Sequence, residues 1–114
     1  CNIMDNSLKE SLDHANKMKV FNNQLRLLKE KYLERNIYFT IGHQFTIDLK
    51  LINYCVTLKN QHKTKDVVML DDYDLPVRIA DLESFYTDIL DLYQQNLNAY
   101  IVEYNKLVQD KGRI

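Results

Sequence analysis

Three histidines, two cysteines and a run of aspartates are the groups in this 114-residue chain best suited to chemistry. His14, His43 and His62 fall on a predicted helix, a turn and a loop, and no two have the helical spacing of a metal-binding pair. Asp71, Asp72 and Asp74 bring carboxylates close enough to suggest a calcium loop. That loop needs a glycine and a later glutamate in register, and the chain has neither. Carboxylates capping their own turn backbone are the better account. There is no phosphate-cradling glycine loop and no paired-cysteine motif. Cys55 sits on the apolar side of a predicted helix, where a thiol behaves as a small hydrophobe. The spacing therefore points to no catalytic, cofactor or metal site, and to a protein that is not an enzyme.

The bulk properties narrow the partners. With 15 basic and 16 acidic residues the formal charge is −1, without the basic surplus that phosphate neutralisation requires, so nucleic acid is not expected. Lys59, His62, Lys63 and Lys65 read as a solvated loop. No stretch reaches the roughly 18 apolar residues of a membrane span. Cys1 in place of an initial Met reads as a fragment of a longer reading frame or a trimmed or processed chain. The alternative is a lipidated Cys1, as in a bacterial lipoprotein or surface binding module, which would place the protein on a membrane at the cell surface.

The elements that must position these groups follow from periodicity. Two glycines and one proline favour long helices over many short strands. Ser7-Leu8-Lys9-Glu10 has the form of a capping box. From there Met18, Phe21, Leu25, Leu28 and Tyr32 alternate by three and four, the seam of a coiled coil. One helix is expected over about 7–35. Ile37 to Ile41 suits a strand, Ile41-Gly42-His43-Gln44 a tight turn, and Phe45 the return. Thr46 is the expected N-cap of a second helix whose inner face carries Ile47, Leu51, Tyr54, Cys55 and Leu58. Val67 to Leu70 and Leu75-Pro76-Val77 form a second β segment around the acidic turn, with proline on an edge strand. A last helix over about 80–111 carries Tyr86, Tyr93, Tyr100 and Leu107 at intervals of seven, beside Leu90, Leu97 and Tyr104, with Leu82, Phe85, Ile89 and Leu92 widening the stripe. Its start is poorly signalled by Ile79 and Ala80. Gly112 is placed as its C′ residue, with Lys111 and Arg113 at the negative end of the dipole.

The expected fold is thus α+β and predominantly helical. It has a long N-terminal helix, a short β-hairpin, a middle helix, a small second β segment and a long C-terminal helix. Residues 1–36 read as a helical oligomerisation or connecting segment and 37–114 as a small α+β domain, the two packed together. Eight tyrosines and no tryptophan suit half-wet interfaces. Met18, Phe21 and Leu25, with Tyr86, Tyr93 and Tyr100, are the candidate interface residues. The tyrosines serve either the chain's own core or self-association.

Over about Tyr32 to Leu107 the sequence resembles a small domain of unassigned function found in phage tail and tail-fibre-associated proteins. The likeness rests on the hairpin Tyr38-Phe39-Thr40-Ile41-Gly42-His43-Gln44-Phe45-Thr46-Ile47-Asp48. A middle helix, the acidic β turn Leu70-Asp71-Asp72-Tyr73-Asp74-Leu75-Pro76-Val77 and a final helix follow. The resemblance implies a structural or chaperone-like assembly role in the virion, or in the host cytoplasm during assembly. It implies a tail fibre or a second copy as partner, a homo-oligomer, and no catalytic residues.

Overall fold

A computed structural model describes the backbone of residues 2–112 and the side chains of residues 7–110. The expectations attached to Cys1 and Arg113 lie outside these residues. The element order is α1 (Asn2–Arg35), β1 (Ile37–Thr40), β2 (His43–Thr46), α2 (Leu49–Asn60), β3 (Lys65–Leu70), β4 (Pro76–Asp81) and α3 (Leu82–Gly112). This is the expected α+β, mainly helical order. β1 pairs only with β2 and β3 only with β4, giving two antiparallel two-stranded sheets.

Several boundaries differ from the sequence expectation. α1 starts at Asn2, so the Ser7–Glu10 box lies within the helix; neither glycine nor proline interrupts the residues before it, and nothing there forces the backbone out of helix. α2 is capped by Asp48, whose Oδ1 accepts from the Leu51 amide at 2.8 Å. Thr46 is instead the last residue of β2. α2 buries Ile52 and Cys55. Tyr54 turns outward, and its hydroxyl donates to the Val68 carbonyl at 3.4 Å. α3 includes Gly112, a one-residue difference at a helix end. Its start is marked by Asp81, whose Oδ1 accepts from the amides of Glu83 and Ser84. These bonds to Ser84 and Glu83, with Lys65 nearby, hold the Asp81 carboxyl below its usual range against the opposing effect of burial.

The chain divides into two compact units, Tyr32–Asn98 and a second built from the chain up to Lys31 and from Ala99 onward. The sequence division at residue 36 did not anticipate that the end of α3 groups with the start of α1. The unit Tyr32–Asn98 holds the core: Phe45, Ile47, Ile52, Cys55, Met69, Val77, Ile79, Leu82, Phe85 and Ile89. The register pairs Met69 with Val77 and Val67 with Ile79. The period-2 pleat therefore turns those residues inward and leaves Val68 and Arg78 outside. Phe85 meets Phe45 and Tyr38 edge-on, at ring separations of 5.3 and 5.9 Å. The end of α1 is fixed by two buried amides. Asn96 Nδ2 donates to the Arg35 carbonyl at 2.7 Å and to Asn36 Oδ1 at 2.8 Å, while Asn36 O accepts from the Ile47 amide.

The other unit has a different character. None of its described side chains, 7–31 and 99–110, is fully buried. Lys31 Nζ lies 3.3 Å from Glu103 Oε1, joining its two helical stretches.

Candidate functional site

The most organised polar cluster joins β2 to the turn between β3 and β4. The hairpin turn is tighter than expected. Thr40 pairs with His43, so Ile41 and Gly42 alone make the bend, at φ 54° and 75°. Two successive positive φ values define the type I′ turn that matches strand twist. His43 and Gln44 consequently belong to β2. His43 shares the face of Phe45, and Gln44 lies on the opposite face with Phe39 as its cross-strand partner.

Two adjacent aspartates grip this strand differently. Asp71, buried, places Oδ2 at 2.7 Å from His43 Nδ1. Its Oδ1 accepts from the Tyr73 and Leu75 amides at 2.8 and 2.9 Å. The hydrogen bond with His43, aided by these amides, holds the Asp71 carboxyl below its usual range despite the cost of burial. Asp72 serves the open edge of β2. Its amide donates to the Gln44 carbonyl at 2.9 Å, and its Oδ1 accepts from the Thr46 amide at 2.8 Å. Its Oδ2 accepts from Thr46 Oγ1 and Gln44 Nε2. Asp72 thus stands in for a third strand and closes an edge that would otherwise be open to pairing. The expectation of carboxylates capping their own turn holds for Asp71; the reach of Asp71 and Asp72 across to β2 was not anticipated.

An aspartate on Nδ1 fixes an imidazole's orientation and directs its Nε2 outward, an arrangement that can serve a base or a clasp. Here every oxygen of the two carboxylates has a structural partner, which suits the clasp. Around it the surface is apolar: Phe39 and Ile41 at the hairpin tip are 69% and 70% exposed, and Tyr73 and Leu75 on the neighbouring turn are also exposed. Among the described residues, no three His, Cys, Asp or Glu side chains gather as a metal-ligand group. No helix among them is long and apolar enough to cross a membrane.

The remaining sequence candidates are dispersed. Met18, Phe21 and Leu25 are half-buried on α1. Met18 and Phe21 line a groove of about 530 Å³ with Leu107 of α3. Tyr86 is half-buried against the core and carries Lys59 Nζ 4.4 Å above its ring. Tyr93 also packs on the core, and its hydrogen bond with Tyr32, then burial, raises its pKa. Tyr100 is half-buried in the other unit. His14 lines the groove beside Met18. His62, at φ 60°, is the C′ residue of α2: its amide donates to Lys59 O and that of Lys63 to Leu58 O, a Schellman motif without glycine. Lys65 lies 3.7 Å from Asp81, so the basic run includes two residues already engaged within the fold.

No protein-family model, curated protein or solved structure matches the chain.

Proposed function

We propose that this chain is a phage tail or tail-fibre-associated assembly domain that works through protein–protein contact, without catalysis. The observation that supports this reading is the clasped hairpin. A type I′ turn places Ile41, a β-branched side chain, in the left-handed region, where such residues are strained. The same turn leaves Phe39 and Ile41 in solvent. Apolar side chains held outward on a rigid two-residue turn, beside Tyr73 and Leu75, form the kind of apolar cluster that partners cover. This hairpin also carries much of the sequence likeness to phage tail domains. His43 and Asp71 serve by fixing the hairpin to the β3–β4 turn, so the tip is presented in one orientation.

The test is co-purification with the tail-fibre protein of the same genome, comparing the wild-type chain with Phe39→Glu and Ile41→Asp. Retention by the wild type and loss in both variants, with unchanged circular dichroism, supports the reading. Absence of retention by the wild type overturns it.

A further inference from the structure

The first hairpin has two outer edges, and the fold closes one of them. In a two-residue hairpin the pair beside the turn exchanges main-chain hydrogen bonds, and bonded and non-bonded pairs then alternate along the ladder. Thr40–His43 is that bonded pair, which makes Phe39–Gln44 and Ile37–Thr46 non-bonded. The main-chain groups of these four residues therefore point away from the partner strand. On β2 Asp72 meets them, at the Gln44 carbonyl and the Thr46 amide. On β1 the amides and carbonyls of Ile37 and Phe39 point the other way, and among the described residues no hydrogen bond reaches them. α3 runs along the same strand. The Tyr38 hydroxyl donates to Asp88 at 3.2 Å, and Asn96 Nδ2 donates to Asn36 Oδ1 at 2.8 Å. Between these ties Asp88 and Asp91 are exposed, three positions apart on one helix face. From Leu82 to Asn105 α3 has no lysine, arginine or histidine. Among the described residues no basic group pairs with Asp88 or Asp91.

We infer that the open edge of β1 accepts, as a third strand, an extended segment of a partner protein in which apolar and basic residues alternate. The reading rests on the protein-contact role proposed above and gives the chemistry of the partner. Two donors and two acceptors on residues about 7 Å apart match the main chain of another strand. A helix cannot meet them, because its own main-chain groups are bonded internally. The residues of the added strand that bond Ile37 and Phe39 lie on their face of the sheet. Phe39 is 69% exposed there, so apolar side chains suit those positions. The residue between them lies on the Tyr38 face, toward Asp88, where a lysine or arginine meets unpaired carboxylates. A second copy of this chain fits poorly. The register that bonds Ile37 and Phe39 of each copy to the other places Tyr38 directly opposite Tyr38, and it brings each Asp88 toward its like. Addition is limited to this side, since Asp72 already occupies the edge of β2.

Titration of the full chain with the acetylated, amidated peptide Val-Lys-Val-Lys-Val, followed by heteronuclear NMR and amide exchange, tests it. Sub-millimolar binding is expected, with slowed exchange of the Ile37 and Phe39 amides and no change at Thr46, whose amide Asp72 already holds. N-methylation of the valine amides should abolish binding, and N-methylation of the lysine amides should not, because only the former face β1. Asp88→Asn combined with Asp91→Asn should weaken binding about threefold or more, with an unchanged thermal midpoint. No binding at millimolar peptide overturns the inference, as does equal binding of Val-Glu-Val-Glu-Val or protection confined to other amides. Protection of Ile37 and Phe39 that grows with protein concentration in the absence of peptide also overturns it, by making a second copy the occupant. Fibre co-purification is scored apart: retention without peptide binding removes the third strand and leaves the assembly role, and peptide binding without retention does the reverse.

Discussion

His43 Nδ1 and Asp71 Oδ2 lie 2.7 Å apart across 28 positions of sequence, and the same carboxylate's Oδ1 holds the amides of Tyr73 and Leu75. One buried side chain therefore organises its own turn and anchors the neighbouring hairpin. Asp72, next to it, makes as many bonds from an exposed position. The two should respond differently to truncation, because water can replace a lost partner only where it has access. Asp72→Ala is expected to cost about 1–2 kcal/mol. Asp71→Ala should lower the urea midpoint further, since it strands the Tyr73 and Leu75 amides. Equal midpoints for the two variants would show that Asp71 is not the anchor described.

The same pair sets the acid response. Asp71 is held below its ordinary value of 3.8 in the fold, so the unfolded chain takes up a proton first as pH falls. A depressed carboxylate contributes stability above its unfolded value and loses it as pH drops through the folded one. Stability should therefore fall on the acid side of about pH 3.8, with Asp81 acting in the same direction. In Asp71→Asn the acid limb should be shallower from about pH 3.8 down to the lower pH at which the folded Asp71 carboxylate itself takes up its proton. An acid limb of unchanged slope, measured by urea titrations at successive pH values, would exclude the linkage.

Ile41 is a place where local preference and fold disagree. Its φ of 54° is one that asparagine or glycine adopts far more readily than a β-branched residue. Its exposed side chain offers little compensating burial. Ile41→Asn should raise stability by about 1 kcal/mol, read as a higher denaturant midpoint at constant slope. If the proposed contact role is right, the same change weakens fibre retention. A loss of stability would mean that the isoleucine is making contacts that offset the strain.

The helices and both β segments were legible because their periods are written in many residues at once: the three-and-four alternation from Met18 to Tyr32, or the sevens from Tyr86 to Leu107. What was missed depends on single side chains. Thr46 and Asp48 are both acceptable caps by type, and only the length of β2 decides between them. Asp81 was passed over because the start of the last helix was sought at Ile79 and Ala80, weak caps by type, where the chain is still in β4. The His43–Asp71 bond was not legible, since nothing local marks two residues 28 apart as neighbours. The buried Asn36 and Asn96 are another such case: polar residues interrupting apolar stripes, which satisfy each other only in three dimensions.

Cys55 offers a labelling probe of the core. It is fully buried, and burial pushes its pKa up to about 11 although Lys59 pulls the other way. Thiolate is the reacting species, so at pH 8 the thiol should be both inaccessible and almost entirely protonated. In a Cys1→Ser background, a maleimide or disulfide reagent should label the native protein only through unfolding, and label the urea-unfolded chain rapidly. Prompt native labelling at pH 8 would contradict the burial of α2.

The last helix tests where the core is centred. Sequence periodicity puts Leu90 beside the tyrosine stripe, yet Leu90 is half-buried and Ile89, one residue earlier, has no exposed surface. The displacement follows from the contacts: Leu82, Phe85 and Ile89 run along one face at intervals of three and four and meet Phe45, Met69 and Val77 in the same cluster. Removing Ile89 leaves a void with no solvent to fill it, so Ile89→Ala should cost about 2–5 kcal/mol. Leu90→Ala, truncating a side chain that already meets water, should cost about 1–2 kcal/mol. Thermal and chemical denaturation of the two variants decides the order. Were Leu90→Ala the more damaging, the face of α3 turned toward the β segments would have to be rotated by about 100°.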